Sequence, residues 1–426
     1  MARYARTPGR DVAGSPGLFT RSLGDAPLLT TMRILFLSAW FPFPPNNGSR
    51  IRIYNLLRGL AEQHEIHLIS FADQPDVNPD TPEVRRLCAD IQVVPLKSFT
   101  PDSWGARLGF LHPTPRSVLD TWSPEMDACI REKVAATDFD LAVASQTRMA
   151  GYRDAFAGLP AVFEEVEISL IYEDFATAVS LKQRARYGLT WWKHRRYLDG
   201  LLRRFQASTV ASEQERQRLV SVLPQNGRPM AVIPNCLDVA AYASAIAEPQ
   251  PNTLIYTGSF GYFPNHEAML WFIREVLPLV QAEIPDAQLT ITGNRAGKNL
   301  PDAPGVRHVG FVDDVRQYVA SSWISLAPIW SGGGTRLKIL EAMALRVPVI
   351  ATSKGAEGID AVPGEHILVA DTAVDFAVKT IDLLKNETLR RKLTDNAYHL
   401  VCEKYDWTAV VPQLSDLLEQ ITHEND

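Results

Sequence analysis

Residues 331–341 of the chain read SGGGTRLKILE, a triple glycine followed by a helical pattern. The glycines leave backbone N–H groups unshielded at the start of a helix, where the partial positive charge of the helix dipole lies, and such a terminus suits a diphosphate. Thr335 is the candidate N-cap of this helix, and Arg336 and Lys338 add the positive charge that phosphates recruit. The alternative interpretation is a glycine-rich loop before a surface helix with a Lys338–Glu341 ion pair.

The segments on either side of this loop alternate between strand and helix patterns. The carboxy-terminal series consists of TLIYTG, HEAMLWFIREVLPLVQAEI, AQLTITG, RHVGF, DVRQYVASS, WISLAPIW, TRLKILEAMAL and VPVIATS. The amino-terminal series consists of MRILFLSAW, SRIRIYNLLRGLAEQH, EIHLISF, IQVVPL, FDLAVAS and AVFEEVE. Because strands and helices alternate in two consecutive halves, the sequence predicts an α/β protein of two doubly wound domains that face each other across a cleft.

The two series divide the 426 residues into parts of ordinary domain size. We expect an amino-terminal domain over 32–245, a carboxy-terminal domain over 246–406, and a final helix over 407–426 that packs back on the amino-terminal domain. Residues 1–31 contain Arg, Gly, Pro and Ser but no apolar run, so we expect a disordered leader there. The stretch 233–252, IPNCLDVAAYASAIAEPQPN, is rich in turn formers and is predicted to link the domains.

The composition excludes several classes of protein. A hydrophobic fraction of 46% with 22% charged residues is typical of globular protein. A net charge of −6 gives no global electrostatic reason to bind nucleic acid. The 4 cysteines form no CxxC pair, which indicates a reduced, cytoplasmic protein. No apolar run approaches the roughly 20 residues needed to cross a bilayer.

Three patterns that imitate nucleotide or metal sites are rejected. GNRAGK (293–298) is one residue short of the phosphate-binding GxxxxGK and is followed by Asn299 where Ser or Thr should hold Mg²⁺. Asp138 and Asp140 imitate a metal-binding DxD pattern but merely precede a strand. No GxGxxG follows a strand, so the phosphate fingerprint of a nicotinamide oxidoreductase is missing. With no metal-ligand spacing among the histidines, we expect no metal site.

The segment 182–204, KQRARYGLTWWKHRRYLDGLLRR, is strongly basic and rich in Trp and Tyr. This combination suits an anionic membrane surface, so peripheral contact with the inner face of a membrane is one interpretation. The other is a helix that buries its aromatic side chains and leaves its charges in water.

The chain resembles the glycosyltransferases of family 4, which share the GT-B architecture of two facing Rossmann-like domains. The stretch SGGGTRLKILEAMALRVPVIATSKGAEGI is similar to the donor-binding segment of that family. The supporting stretches are MRILFLSAWFPFPPNNGSRIRIYNLLRGL, VIPNCLDVAAY, VRHVGFVDDVRQYVASSWISLAPIW and EKYDW. The resemblance implies transfer of a sugar from a nucleotide-diphosphate sugar with retention of anomeric configuration and without an obligatory metal. It favours a UDP-sugar over a GDP- or TDP-sugar.

The resemblance also assigns residues of the donor site. The family carries a Glu-x7-Glu pattern, whose second Glu matches Glu341 and is expected to bind the ribose hydroxyls. The first Glu falls on Gly333, a departure from the pattern. The family often has Arg and Lys in the loop that is GSFGYFPN (258–265) here, so Arg336 and Lys338 are the expected substitutes. The implied donor-binding residues are Gly48, Ser49, Gly258, Asn265, Phe311, Gly332, Gly333, Gly334, Thr335, Arg336, Lys338 and Glu341.

The amino-terminal domain is expected to bind the acceptor. Asn47 replaces the first of two glycines that the family has in its first loop, and Asn tolerates the same backbone conformation. Arg50 or Arg52 reaches the cleft or belongs to a solvated helix face. In the carboxylate run after AVF, Glu167 or Glu165 is the candidate catalytic base, and the alternative is a group of surface acids. Lys338 is the candidate that stabilises the leaving group.

The resemblance leaves the acceptor and part of the function open. A glycan, a lipid-linked molecule and a small molecule all fit as acceptors. Because Gly333 replaces a carboxylate, a catalytically weak or binding-only protein is the second hypothesis. A nucleotide-sugar 2-epimerase of related architecture is the third, and it would isomerise the donor with no acceptor present.

Overall fold

The computed structural model describes residues 31–74, 76–224, 227–245 and 247–423. The predicted leader, 1–31, lies outside the described residues except for its last residue. Residues Met32–Asp426 form one compact unit. No described helix is long and apolar enough to cross a membrane.

The amino-terminal half is built on a sheet of parallel strands in the order β3-β2-β1-β4-β5-β6-β7. The strands are β1 (Arg33–Ser38), β2 (Glu65–Ala72), β3 (Asp90–Pro95), β4 (Leu141–Ser145), β5 (Ala161–Glu164), β6 (Ala207–Val210) and β7 (Met230–Val232). The helices are α1 (Gly48–Leu60), α2 (Pro82–Arg85), α3 (Trp104–Leu108), α4 (Arg116–Thr121), α5 (Pro124–Ala136), α6 (Gln146–Ala150), α7 (Ser169–Ala176), α8 (Leu181–Leu202) and α9 (Glu213–Val222), with a 3₁₀ turn at Arg153–Phe156.

The carboxy-terminal half is built on a second parallel sheet in the order β10-β9-β8-β11-β12-β13. The strands are β8 (Thr253–Thr257), β9 (Gln288–Thr292), β10 (Val306–Gly310), β11 (Ile324–Ala327), β12 (Val349–Ala351) and β13 (Leu368–Val369). The helices are α10 (Val239–Ala243), α11 (Phe263–Trp271), α12 (Leu277–Glu283), α13 (Arg316–Ala320), α14 (Leu337–Ala344), α15 (Ala373–Lys385), α16 (Glu387–Lys404) and α17 (Trp407–His423), and a π-helical turn, Phe272–Val276, joins α11 to α12.

The two sheets confirm the prediction of two doubly wound α/β halves. In each sheet, successive strands are first added on one side of the starting strand and then on its other side. This change in the order of strands lies between β1 and β4 in the first sheet and between β8 and β11 in the second. Ligands of open parallel sheets bind outside the carboxyl ends of the strands at such a switch point. The loops that follow β1 and β4 in the first sheet, and β8 and β11 in the second, are therefore the positions where the fold places a site.

The first strand shows why both faces of the sheet are covered. Ile34 and Phe36 pack into one apolar cluster, and Leu35 and Leu37 pack into another on the opposite face. Successive side chains of a strand point to opposite faces, so a continuous apolar run buries both. This explains why RILFLS reads as unbroken hydrophobic sequence.

Arg50 and Arg52 do not reach the cleft, contrary to the expectation for one of them. Both are fully buried against the amino-terminal sheet. Arg50 pairs with Asp73 at 2.5 Å and Arg52 pairs with Glu164 at 2.6 Å. A buried guanidinium needs such a partner because an unpaired charge in the interior is costly. These residues hold α1 to the sheet.

The predicted linker is more ordered than its composition suggests. Leu237 is buried, its N–H donates to the carbonyl of Tyr405 (3.0 Å), and its carbonyl accepts from the N–H of Trp407 (3.0 Å). The chain thus crosses between the halves twice, and the two crossings are hydrogen-bonded to each other. After the second crossing, α17 packs on α1 through the apolar cluster that contains Val410 and Val411.

The sequence patterns missed three short strands. β6 (ASTV), β7 (MAV) and β13 (LV) are too short to show alternation or a long apolar run, and tertiary pairing with a neighbouring strand stabilises each one. The strand predicted over WISLAPIW ends earlier than expected, at Ala327.

The packing of α17 on α1 predicts an unusual effect of a glycine-to-alanine change. A Cβ on Gly59 would lie 2.6 Å from Cγ1 and 2.8 Å from Cβ of Val411. Gly59→Ala should therefore destabilise the protein by about 1–3 kcal/mol through overpacking, although alanine normally favours a helix interior by about 1 kcal/mol. Urea unfolding followed by circular dichroism measures the change.

Gly200→Ala is the matched control, since Gly200 lies in α8 with open space around its Cα. This variant should unfold at the same urea concentration as the parent or at a higher one. Adding Val411→Ala to Gly59→Ala should recover part of the loss. An unchanged or raised midpoint for Gly59→Ala would contradict the close packing of the two helices.

Candidate functional site

The glycine-rich loop lies between the end of β11 and the start of α14. Gly332 and Gly334 have φ values of 90° and 80°, in the left-handed region that favours glycine. α14 begins at Leu337, so the prediction that Thr335 caps the helix is wrong. The hydroxyl of Thr335 is buried and has no hydrogen-bond partner among the described residues.

Arg336 holds the loop in shape. Its guanidinium donates to the carbonyl oxygens of Gly333, Gly332 and Ser331, with distances of 2.6 Å to Gly332 and 3.3 Å to Ser331. The side chain is buried. Its positive charge therefore lies against the loop on the side of the protein interior. Its two terminal nitrogens already donate hydrogen bonds to backbone carbonyl groups of the loop. A role of Arg336 as a freely projecting phosphate ligand does not fit this geometry.

Lys338 lies in a small cluster with Gly258 and Asn265, two other residues that the resemblance assigns to the donor site. Its Nζ is 3.2 Å from Oδ1 of Asn265 and 3.9 Å from the centre of the Tyr256 ring. A Cβ on Gly258 would lie 3.0 Å from Nζ and 2.8 Å from Nδ2 of Asn265, so glycine leaves room for both side chains. Asn265 also donates to the carbonyl of Ser259 (2.7 Å), which fixes the loop after β8.

The environment of Lys338 lowers its affinity for a proton. Desolvation and, to a smaller extent, the neighbouring charge of Arg336 lower the pKa of Lys338 to about 7. An anion placed beside the amine would raise this pKa again, because an opposite charge favours the protonated form. The site is thus electrostatically prepared for a negatively charged ligand.

Glu341 lies apart from this cluster. Its Oε1 accepts a hydrogen bond from the hydroxyl of Tyr242 (2.7 Å), and burial raises the pKa of Glu341. The carboxylate borders a cavity of about 380 Å³ between α1 and the segment 312–316. No sequence pattern indicated the contact with Tyr242, which lies 99 positions earlier on α10 in the predicted linker.

The opposite wall of the cleft is formed by the chain that follows β5. Glu164 belongs to the buried pair with Arg52, so the carboxylate run separates into residues with different surroundings. Glu165 has a φ of 57°, and its Oε2 accepts from the side-chain amide of Gln146 (2.9 Å). Gln146 in turn accepts from the indole of Trp40 (2.9 Å). This chain of hydrogen bonds fixes the position of Glu165.

Glu167 reaches across the cleft to the glycine-rich loop. A Cβ on Gly333 would lie 2.6 Å from Oε1 of Glu167, so the glycine makes room for this carboxylate. The side chain is open to water, but atoms of both walls surround it. This desolvation, followed by repulsion from Glu165 and Glu215, raises the pKa of Glu167 to about 7.

The cleft contains residues from both halves of the chain. It holds a cavity of about 40 Å³ and is lined by Glu165, Glu167, Ser169, Glu215, Gly333, Gly334, Thr335 and Gly358, among others. Within the described ranges no cluster of His, Cys, Asp or Glu could hold a metal ion. The lining thus combines residues of the glycine-rich loop with carboxylates and Arg218 of the facing wall.

The remaining assigned residues contribute less to this cluster. Gly48 begins α1 beside Leu337, where an added Cβ would lie 3.2 Å from Cδ1 of the leucine. Ser49 follows it and is partly buried. Phe311 is 60% exposed on the loop after β10, adjacent to the cavity that Glu341 borders. The structure thus brings Glu167 to the glycine loop, groups Lys338 with Gly258 and Asn265, and leaves Phe311 at the periphery.

A charge cluster joins the two walls at one end of the cleft. Arg218 on α9 lies 3.5 Å from Glu173 on α7 and 3.2 Å from Glu357, which follows β12. Lys354 pairs with the same two carboxylates. Two of these four pairs connect the amino-terminal half to the carboxy-terminal half, and the cluster therefore holds the cleft closed.

Removing both cations should open the cleft. In Arg218→Ala combined with Lys354→Ala, Glu173 and Glu357 face each other without a compensating charge and repel. Small-angle X-ray scattering should then give a larger radius of gyration than the parent shows. Raising the salt concentration to about 1 M should shift the parent in the same direction, since the screening length falls to about 3 Å.

Arg216→Ala provides the control, because Arg216 pairs with Glu213 on its own helix. Its scattering should match that of the parent. If the double variant also matched the parent, the cluster would not determine the opening of the cleft.

The comparisons with known proteins agree with this architecture. Residues 251–386 match the family model described as Glycosyl transferases group 1. The chain is 28% identical over 165 residues to an uncharacterized 44.6 kDa protein in the cps region of Klebsiella pneumoniae. That alignment covers 36% of this chain and 42% of the relative, so the match spans less than half of the relative's length.

Two solved structures share the fold over nearly the whole chain. HepE of Anabaena, solved in complex with UDP-glucose, has a TM-score of 0.64 at 14% identity, covering 91% of this chain and 100% of that one. Sucrose-phosphate synthase from Thermosynechococcus elongatus has a TM-score of 0.67 at 16% identity, covering 92% and 100%. The predicted GT-B fold of two facing Rossmann-like halves is confirmed.

Proposed function

We propose that this protein is a retaining glycosyltransferase of family 4 that moves a sugar from a UDP-sugar to an acceptor hydroxyl. The observation that carries the proposal is the approach of Glu167 to Gly333 across the cleft, which places a carboxylate of one wall beside the phosphate-type loop of the other. The matched segment 251–386 contains that loop. The likeness to HepE, which was solved with UDP-glucose, supports the choice of donor.

The donor is proposed to bind on the carboxy-terminal wall. The diphosphate would lie at the glycine loop, where backbone amides and the start of α14 carry partial positive charge. Lys338 would take up a proton as the diphosphate binds, because its pKa of about 7 rises beside an anion. These groups stabilise the charge that develops on the leaving diphosphate, and this is the physical basis for transfer without an obligatory metal.

Glu167 is proposed to accept the proton of the acceptor hydroxyl. The acceptor oxygen bonds to the anomeric carbon on the face from which the diphosphate departs, as retention of configuration requires. The bond from that carbon to the diphosphate oxygen breaks, its electron pair leaves with the nucleotide, and the hydroxyl proton passes to Glu167. A base with a pKa near the working pH is effective in such a step. Glu165 is the second candidate, but its hydrogen bonds to Gln146 and Thr209 suit a positioning role.

The proposal is tested first by donor binding. UDP should raise the unfolding temperature of the protein, since a ligand at 100 times its Kd stabilises by about 2.7 kcal/mol. Glu341→Ala should weaken UDP binding by roughly 1.5–3 kcal/mol for each lost charge-assisted hydrogen bond to the ribose. Asp313→Ala, which removes another carboxylate from the same cavity, should leave the affinity for UDP nearly unchanged.

Product analysis separates the three hypotheses. UDP-, GDP- and TDP-sugars are incubated with the protein with and without acceptors, and nucleotide release and sugar identity are followed. Release that depends on an acceptor supports the transferase. Binding without release with any acceptor would indicate a binding-only protein, and isomerisation of the donor without acceptor would indicate an epimerase.

The pKa of Glu167 predicts a pH dependence of turnover. The side chain accepts a proton only as the carboxylate, so kcat should increase as the pH rises through about 7. Glu167→Gln should remove this increase and lower kcat by a factor of about 10²–10⁴. Its affinity for UDP should stay close to that of the parent, because Glu167 belongs to the opposite wall.

Glu213→Gln is the control for this variant, since Glu213 is an exposed carboxylate that pairs within α9. It should keep the full pH profile. An unchanged profile in Glu167→Gln would assign the proton to another group.

A further inference from the structure

The most exposed apolar side chains of the described residues are gathered on the amino-terminal half. Leu111, Val179, Leu181 and Trp104 are 91%, 90%, 86% and 81% exposed, which exceeds the value for every other large apolar side chain in the described ranges. All four lie in the segments 104–111 and 179–181. Apolar side chains left in water to this extent mark a contact surface.

Phe110 of the first segment and Arg186 of α8, the helix that Leu181 begins, line one cavity of about 200 Å³. Its walls include Phe99, Phe110, Arg116, Arg186, Leu189 and Lys193. Lys193 fastens the turn at 109–111 to the helix, since its Nζ donates to the carbonyl oxygens of Gly109 (3.0 Å) and Phe110 (2.7 Å). Leu181 begins the same helix. The turn at 109–111 and α8 therefore lie on either side of one cavity.

The charge around this cavity is positive. Lys182, Arg184 and Arg186 follow Leu181 directly and have no ion-pair partner among the described residues. Arg116 lies over the Phe110 ring at 4.5 Å. Asp174 is the acidic residue in the cavity wall. Cations mixed with exposed apolar side chains match the boundary of an anionic bilayer, where apolar groups insert and cations contact lipid phosphates.

We infer that α3, the turn at 109–111, the turn at 179–181 and the first two turns of α8 form a docking surface for an anionic phospholipid membrane. Arg116 and Arg186 contact lipid phosphate at the cavity mouth. Two copies of the chain packed through this surface would bring the same unpaired cations together, and this repulsion argues against self-association.

This surface differs from the one that the sequence indicated over 182–204. Trp191, Leu198, Leu201 and Leu202 on α8 are buried in the amino-terminal core and cannot face lipid. The contact is therefore limited to the first part of the helix. The segment 104–111, which the sequence patterns did not single out, supplies Trp104 and Leu111.

The surface lies one short helix from the cleft. α7 begins at Ser169, whose Cβ would lie 3.2 Å from a Cβ on Gly333, and it ends at Ala176 before the 179–181 turn. Its 8 residues span about 12 Å. Resting on the proposed sugar transfer, this short distance favours an acceptor that is anchored in the membrane by a lipid. The docking itself does not depend on catalysis.

Vesicle flotation with the full chain tests the docking. The protein should float with phosphatidylcholine vesicles that contain phosphatidylglycerol and should stay in solution with phosphatidylcholine alone. Lys182→Glu with Arg184→Glu and Arg186→Glu should weaken the partition on the order of 100-fold or more. Leu111→Ser with Val179→Ser and Leu181→Ser should reduce binding to the vesicles, and the binding that remains should still depend on phosphatidylglycerol.

Matched controls lie on the carboxy-terminal half. Val374→Ser with Val378→Ser removes exposed apolar side chains from α15, and Arg391→Glu with Lys392→Glu reverses exposed charges on α16. Both should float like the parent. Stabilisation of every variant by UDP reports that it is folded and that the donor site is intact, independently of the vesicles.

Three outcomes would overturn the inference: no flotation of the parent, equal flotation with and without phosphatidylglycerol, or equal loss in the controls. If the parent formed concentration-dependent dimers and the variant Leu111→Ser with Val179→Ser and Leu181→Ser did not, the surface would be assigned to contact with a second copy of the chain instead. Flotation of a parent protein that does not bind UDP would retain the docking surface and reject the proposed transfer.

Discussion

The paired crossings at Leu237 and at 405–407 are the constraint on which the rest of the structure depends. Two backbone hydrogen bonds join these crossings, and the packing of α17 on α1 returns the end of the chain to the first sheet. With both connections fixed, the loops that follow the strands of one sheet meet the loops that follow the strands of the other. A site made from one loop of each half can exist only because this relation is fixed.

The electrostatics of the cleft follow from that relation. Lys338 and Glu167 stand on opposite walls, and desolvation brings the pKa of each to about 7 from opposite directions. The buried amine of Lys338 can gain a proton, which suits the proposed anionic donor. The carboxylate of Glu167 can accept a proton, which suits the hydroxyl of the proposed acceptor. Separating the walls would return water to both groups and weaken these shifts, so the charge cluster around Arg218 and Lys354 is coupled to the chemistry through closure.

The amino-terminal half carries two surfaces with opposite character, joined by α7. At one end of this helix Ser169 lies beside the glycine loop in a cleft rich in carboxylates. Beyond the other end, the 179–181 turn and the start of α8 present apolar and basic side chains to solvent. The proposed membrane contact and the carboxylate-lined cleft thus lie near opposite ends of one short helix.

Much of the architecture could be predicted from the sequence alone. Buried parallel strands require unbroken apolar runs, and helices require apolar side chains every three or four residues, so the pattern of RILFLS, of TLIYT and of α14 was visible without coordinates. The triple glycine also indicated the position of the loop, because positive φ at Gly332 and Gly334 is a local property of the chain. Strands as short as β7 and β13 could not be predicted, because pairing with a neighbouring strand stabilises them and their own sequence shows no strand pattern.

The identity of neighbours across the cleft was decided only by the tertiary structure. Local pattern could not show that Arg52 belongs to Glu164, that Arg336 supports its own loop, that Tyr242 meets Glu341, or that Glu167 fills the space beside Gly333. Such contacts join positions up to 166 residues apart in the case of Glu167 and Gly333. The sequence determined which segments form strands and helices and where the glycine-rich loop lies. The packing of the two halves decided which side chains face that loop, because the crossings between the halves set the distances in space and the order of residues does not.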